Sequence, residues 1–189
     1  TMARKPSDNL RILSLPASSG ENNLVVLAMG ETGVAARILG LSRGSVFAFA
    51  APCPKQAISG ARRKGLPRGE PTAPGQITAD ELRLRYQVLR RSSSSKIYGV
   101  VADPVGHSMS PVVHNRAFRA RRLDSLYVPF LVRSAQLGDF FQVVGELPVA
   151  GYSVTIPHKR RVLHYLRSVD ALAKRMGAVN TVFRRRGRL

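Results

Sequence analysis

An α/β fold, with a mostly parallel sheet and flanking helices, is the class this sequence predicts. Two observations predict it. Leu24–Met29 and Ile97–Ala102 are short apolar runs with almost no polar residue between them, the pattern of strands covered on both faces as in a parallel sheet. Such runs also alternate along the chain with stretches whose apolar residues recur at helical spacing, and that alternation builds a sheet with a crevice at its strands' C-terminal ends.

At 189 residues the chain is long enough for one good core or for two small domains. No stretch reaches the roughly 20 apolar residues of a membrane span, and no signal-peptide pattern opens the chain, so no membrane partner is expected. The single cysteine, Cys53, excludes an internal disulfide and fits a reducing compartment, with a cytoplasmic location as the expectation. A net charge of +19 points, taken alone, to a nucleic-acid-binding protein. The basic residues, however, fall in short clusters such as Arg62-Arg63-Lys64 and Arg184-Arg185-Arg186, without the interleaved aromatics of a single-strand binder. They are expected to be solvated faces, with no specific nucleic-acid partner.

In the first half, residues 7–14 suit a short helix with Leu10, Ile12 and Leu13 as its apolar positions. Leu24–Met29 is the first strand and runs through the turn Gly30-Glu31-Thr32-Gly33 into a helix from Val34 to Leu41. Backbone N–H groups at such a turn can hold an anion that Arg37 pairs bidentately, although an ordinary strand-to-helix turn has the same composition. Ser45–Ala51 reads as a second buried strand, and residues 52–71, rich in Gly, Pro and basic residues, as a long exposed loop. Thr78 with Glu81 forms a capping box ahead of a stripe of Leu82, Tyr86 and Leu89. The serine-rich segment 91–96 predicts a linker, which divides the chain into domains 1–90 and 97–189.

The second half opens with strand Ile97–Ala102 and the turn Asp103 to Pro111, in which Ser110 suits the N-cap and Pro111 the first position of a helix. Capping leaves Ser108 unexplained, and two hydroxyls beside a helix start make a candidate carboxylate cradle. Ser125–Val132 is strand-like, and Leu137, Phe140, Phe141, Val144 and Leu147 form a core-facing helical stripe. Val149–Ile156 is a further strand, and Pro157 predicts a helix whose first turn holds Lys159. A cation there opposes the helix dipole, so either an anionic or oxygen-rich ligand favours it or it is a solvated lysine like its neighbours Arg160 and Arg161. A last helix within residues 169–176 ends at Gly177, before strand Val179–Phe183. Ser108, Thr155, Lys159 and Asn180 thus fall near element ends, where the crevice can collect them. The histidines at 107, 114, 158 and 164 share no metal-ligand spacing, so no metal is expected, and His158 reads as a surface or packing residue.

Three motifs, Gly106-His107-Ser108-Met109-Ser110-Pro111, Val154-Thr155-Ile156-Pro157-His158-Lys159 and Gly177-Ala178-Val179-Asn180-Thr181, together closely resemble the substrate-binding domain of shikimate dehydrogenase. The resemblance implies that Ser108 and Ser110 hold a shikimate carboxylate, that Thr155 and Asn180 contact ring hydroxyls, and that Lys159 is the catalytic lysine. Ser153 stands where the family often has asparagine, and Ala102 where it usually has glycine. Met29-Gly30 to Arg37, with Thr72-Ala73-Pro74-Gly75-Gln76, resembles the last βα units of a type I 3-dehydroquinate dehydratase, a TIM barrel. There Arg37, Thr72 and Gln76 would contact the substrate's carboxylate and hydroxyls.

The combination implies a fragment across the junction of a bifunctional enzyme that dehydrates 3-dehydroquinate and reduces 3-dehydroshikimate with NADPH. On that reading the dehydratase's Schiff-base lysine lies upstream of Thr1, and the dehydrogenase's aspartate and glycine-rich cofactor turn lie beyond Leu189. The fragment then depends on the missing parts of its parent, has no turnover alone, and leaves its N-terminal third poorly ordered and sticky. A stand-alone binding module for a shikimate-like hydroxy acid is the alternative from another class.

Overall fold

A computed structural model describes residues 1–18, 23–52 and 73–184, with the side chains of residues 17 and 18 left aside. Thr72, Cys53 and the predicted loop 52–71, apart from Pro52, lie outside the described residues. The second half is built on strands β1 (Lys96–Ala102), β2 (Ser125–Leu131), β3 (Val149–Val154) and β4 (Thr181–Phe183), in the spatial order β2-β1-β3-β4. The first three are mutually parallel and β4 runs antiparallel to β3. Helix α3 (Ser110–Ala120) returns the chain from β1 to β2, and α4 (Leu137–Val143) returns it from β2 to β3.

Sheet alternation sorts the two faces. Val100, Ala102 and Tyr127 face α3 and pack with Tyr98, Val105 and Phe118. Ile97, Val101, Leu126, Val128, Phe130, Tyr152 and Val154 face the other way, into a larger core with Phe140 of α4. Asn115 of α3 fixes the edge strand. Its amide oxygen accepts from Tyr127 N at 2.9 Å and its nitrogen donates to Tyr127 O at 2.8 Å, so the outward backbone groups of Tyr127 are satisfied by a helix.

Gly99 sits at the tightest crossing of the central strand. A Cβ there would overlap the Phe130 ring and stand 2.7 Å from Val128 O. The backbone oxygen cannot move without disturbing the β1–β2 ladder, so Gly99→Ala is expected to cost about 1–3 kcal/mol through overpacking. Urea unfolding measures it as a lowered midpoint at unchanged slope.

The first half joins the same core. Helix α1 (Pro6–Ser18) contributes Ile12 and Leu13, and α2 (Val34–Leu39) contributes Ala35, Ile38 and Leu39, to the cluster that holds Leu126, Val128 and Phe140. Polar contacts pin the junction. Asp139 of α4 accepts from Ser7 N at 2.8 Å and pairs with Lys5 at 3.6 Å, and Gln136 donates to Arg4 O at 2.8 Å. The expectation of a poorly covered N-terminal third therefore holds only in part: α2 is seated on the sheet and α1 against α2 and α4, while Val46, Phe47 and Phe49 remain about half exposed.

Neither predicted N-terminal strand forms a ladder. Leu24–Met29 and Ser45–Ala51 are extended, and each makes one isolated parallel bridge, Met2 to Met29 and Ala51 to Thr78. Val46 N also donates to Leu24 O at 3.1 Å, so the extended segments lie side by side in chain order. That is the arrangement of successive strands in a βα unit, reduced to single bridges because no described strand runs alongside for longer. The capping box is present: Glu81 N donates to Thr78 Oγ1 at 3.2 Å, and Thr78 N donates to Glu81 Oε2 at 3.3 Å. It opens a single π-helical turn, Glu81–Arg85, which buries Leu82; Tyr86 is buried just beyond it, and Leu89 is left exposed. The serine-rich segment is a bonded turn, in which Ser95 Oγ donates to Asp124 at 2.6 Å and Arg91 pairs with the same carboxylate at 3.2 Å.

Candidate functional site

Two turns and one strand start converge at the C-terminal end of β1 and β3. The turn after β1 is tied to the turn after β3 by Asp103 N, which donates to Ile156 O at 3.1 Å. That second turn is tied in turn to the approach to β4, because Val179 N donates to Lys159 O at 2.8 Å and Val154 N to Asn180 O at 2.8 Å. Ser108, Ser110, Thr155, Lys159 and Asn180 are thereby gathered at one end of the sheet, on turns stapled to each other by backbone hydrogen bonds.

The local geometry differs from the expected one at two points. Helix α3 begins at Ser110 with Met109 as its N-cap, and no side chain of Met109 caps it. The oxygen that accepts from Ser110 N, at 3.3 Å, belongs to Ser108. The roles are exchanged: Ser108 makes the local bond, and the Ser110 hydroxyl is not used in capping. Nor does a helix start at Pro157. Residues 156–160 form a turn with a cis Ile156–Pro157 peptide, followed by a 3-10 segment, Arg161–Tyr165. Lys159 is exposed on that turn, so no helix dipole opposes its ammonium.

His158 explains why the turn holds its shape. It is fully buried, and its Nε2 lies 2.6 Å from Val132 O just beyond β2, so the ring carries its proton on Nε2 and donates it there. Nδ1 is buried without a partner. Burial pushes its pKa down, the Val132 carbonyl and Asp103 oppose that shift, and Arg161 adds to it. The imidazole is a neutral anchor that draws the residue before Lys159 inward and leaves the lysine facing solvent. The sequence admitted packing for this histidine, but the bond to Val132 has no local signal.

Tyr127 was not singled out from the sequence. It stacks on His114 with ring centroids 4.3 Å apart, and its hydroxyl is buried without a hydrogen-bond partner among the described residues. A tyrosine in an otherwise apolar strand was the available clue, since a buried phenol needs a hydrogen-bond partner.

Arg37 forms a second, separate locus, because α2 packs on the sheet face opposite α3. Gly30 N donates to Pro74 O at 3.0 Å, and a Cβ on Gly75, whose φ is 71°, would overlap Gly30 O, so the 30–33 and 73–76 turns are packed backbone to backbone. This brings the turn that carries Gln76 beside Arg37. The guanidinium is buried, reaches Pro74 O only at 3.5 Å, and leaves Nε unpartnered. Burial lowers its pKa, yet an arginine stays cationic, so this under-bonded cation suits an anion. Among the described residues no cluster of His, Cys, Asp and Glu can hold a metal ion, and no helix is long and apolar enough to cross a membrane.

Known proteins match the two halves separately. Residues 1–93 match the family model for type I 3-dehydroquinase, and residues 100–182 match the one for the shikimate dehydrogenase substrate binding domain. A bifunctional 3-dehydroquinate dehydratase/shikimate dehydrogenase, chloroplastic, from Arabidopsis thaliana is 38% identical over 160 residues, which are 85% of this chain and 24% of that protein. A shikimate dehydrogenase (NADP(+)) of Bacillus cereus is 45% identical over 94 residues, half of this chain and 34% of that protein. The matched stretches thus span about a quarter of the first relative's length and about a third of the second's. The crystal structure of shikimate dehydrogenase from Aquifex aeolicus superposes with a TM-score of 0.50 at 36% identity, covering 51% of this chain and 36% of that one. The Listeria monocytogenes enzyme in complex with shikimate and NAD gives 0.50 at 35%, covering 52% and 34%. With both segments in one chain, in the order dehydratase then dehydrogenase, the chain is similar to the stretch that joins the two parts of a bifunctional 3-dehydroquinate dehydratase/shikimate dehydrogenase.

Proposed function

We propose that residues 97–189 bind a shikimate-type hydroxy acid and serve, in the intact enzyme, as the substrate-binding part of an NADPH-dependent reduction of 3-dehydroshikimate. Residues 1–90 then belong to the dehydration of 3-dehydroquinate, with Arg37, Gln76 and Thr72 on its carboxylate and hydroxyls. The observation that carries the reading is the pair of backbone staples, Asp103 to Ile156 and Val179 to Lys159, which hold Ser108, Ser110, Thr155, Lys159 and Asn180 to one sheet end.

The chemistry follows from the residue types. Ser108 and Ser110 offer hydroxyl donors to a carboxylate, and Thr155 and Asn180 can donate to and accept from ring hydroxyls. Lys159, on a solvent-facing turn, brings an ammonium to the ring carbon's oxygen. There it stabilises the negative charge that develops as the ketone is reduced and moves a proton to that oxygen. No Gly-x-Gly-x-x-Gly turn occurs in the sequence, so no residue of this chain is assigned to the nicotinamide cofactor. The lone Cys53 fits a reducing compartment such as the cytoplasm.

Calorimetry on the 189-residue chain tests the reading. Shikimate is expected to bind weakly, with a Kd on the order of 1 mM, and the Ser108→Ala/Ser110→Ala double variant is expected to give no heat. Absence of heat from the wild-type chain at millimolar shikimate overturns it.

A further inference from the structure

Asn9 stands on α1, a helix to which no part in either site has been given above, and it is buried. Its side chain nonetheless reaches the turn that carries the Arg37 locus. The amide nitrogen donates to Thr32 O at 2.8 Å, and the amide oxygen accepts from Ala36 N at 3.2 Å. The nitrogen's other contact, Pro6 O at 3.5 Å, lies within α1 itself. Thr32 O can only accept and Ala36 N can only donate, so these two groups fix which way the amide points. One side chain thus grips the 3-10 segment Glu31–Gly33 and the first turn of α2 together.

The grip supplies what the turn cannot make for itself. Gly33 is the N-cap of α2 and has no side chain to accept from the helix's first N–H groups. A capping serine, asparagine or aspartate is excluded there, since a Cβ on Gly33 would stand 2.7 Å from Ala28 O. Asn9 Oδ1 takes over as the acceptor for the buried N–H of Ala36, a cap delivered from another helix. Arg37 follows Ala36 directly, and the 73–76 turn leans on the same segment through the bond from Gly30 N to Pro74 O. The guanidinium is a weak anchor by itself, with Pro74 O at 3.5 Å and Nε unpartnered among the described residues. Where its charge stands therefore depends on the backbone that Asn9 holds.

We propose that Asn9 is a positioning residue of the dehydratase part: by capping α2 and holding Thr32 O, it sets where the Arg37 guanidinium meets the substrate's carboxylate. The inference rests on the functional reading above, which puts Arg37 on that carboxylate, and extends it to a residue of α1. It predicts that the effect of Asn9 falls on substrate binding more than on turnover and passes through Arg37.

The test is steady-state kinetics of both reactions on an intact bifunctional enzyme that carries this span. Asn9→Leu keeps the bulk and removes both bonds. It is expected to raise KM for 3-dehydroquinate about 5- to 30-fold while kcat changes less than about threefold. Asn9→Asp keeps an acceptor for Ala36 N and loses the donor to Thr32 O, so its KM is expected to rise only about two- to fivefold. In an Arg37→Ala background either Asn9 substitution is expected to change kcat/KM less than about twofold. KM for 3-dehydroshikimate is expected to stay at the wild-type value, which also reports a folded junction. Equal loss of both activities, a fall in kcat larger than the rise in KM, or an undiminished effect without Arg37 assigns Asn9 to folding alone and overturns the inference. If Asn9→Leu yields no soluble enzyme, the same comparison made with Asn9→Asp decides. An unchanged KM for 3-dehydroquinate overturns the inference while leaving the functional reading intact. An Arg37→Ala enzyme with the wild-type KM for 3-dehydroquinate removes both together.

Discussion

Lys159→Ala, made in an intact bifunctional enzyme that carries this span, is expected to lower the kcat for 3-dehydroshikimate reduction about 10²- to 10⁴-fold, the range for loss of a positioned proton-transfer group. KM is expected to change far less. The ammonium sits on an exposed turn whose backbone is fixed by Val179 N and by the buried His158, so removing the side chain leaves the serine end of the site in place. Lys159→Arg keeps a cation but surrenders a proton much less readily, and is expected to recover only a small part of the rate. Dehydratase activity is expected to stay at the wild-type level, because the Arg37 turn packs on the opposite face of the sheet. Steady-state kinetics of both reactions on one preparation separates the outcomes. Parallel loss of the two activities would mean that Lys159 supports folding, and retention of both would remove it from the chemistry.

The elements around this lysine show which parts of the site a sequence can display. Apolar runs and helix-start residues are local: β1, β2 and β3 lie where those signals put them, within two residues at each end, and α3 starts at the expected place. The collection of Ser108, Thr155 and Lys159 at one sheet end follows from parallel strands, which place their following turns on the same side, and Asn180 joins them because β4 runs antiparallel to β3 and so starts at that end. Other features depend on partners distant in the chain. Pro157 carries the same local signal whether it opens a helix or a turn. What prevents a helix is the inward draw of His158 to Val132, a bond across 26 residues. The choice between Ser108 and Ser110 as cap is a shift of two positions within one turn, below what composition resolves. Likewise Leu24–Met29 announces an extended, buried segment but not its neighbour, and the described neighbour is a single bridge from Met2. Least legible of all is the packing of α1, with Ile12 and Leu13, against α2 and α4, because an amphipathic helix records that it has an apolar face and not what covers that face.

His158→Phe is expected to destabilise the chain by about 1–3 kcal/mol at neutral pH, although it keeps a ring at the same place, because it leaves the buried Val132 carbonyl without its donor. His158→Ala adds a cavity in the core and is expected to cost about 2–5 kcal/mol. The histidine also gives the fold a pH dependence of definite sign. Its folded-state pKa lies below the ordinary value of 6.5, with burial as the main cause. Between the two values the unfolded chain binds the proton and the folded chain does not, so unfolding takes up protons and stability falls as pH falls. A second N–H, on Nδ1, would have no acceptor in the core. The contribution is therefore complete above the unfolded pKa and is lost progressively as pH drops from about 6.5 toward the folded value, Asp103 and Arg161 being the charges that shift that lower end in opposite directions. Urea midpoints at several pH values from about 7.5 down to about 5 measure the slope. His158→Phe is expected to flatten it in this window, since the variant has no group there to titrate. A slope unchanged by the substitution would assign the acid sensitivity to other groups, and a wild-type chain that gains stability on acidification would mean that the imidazole is charged in the fold. In that last case its bond to Val132 would survive, because Nε2 carries its proton in the neutral and the charged ring alike.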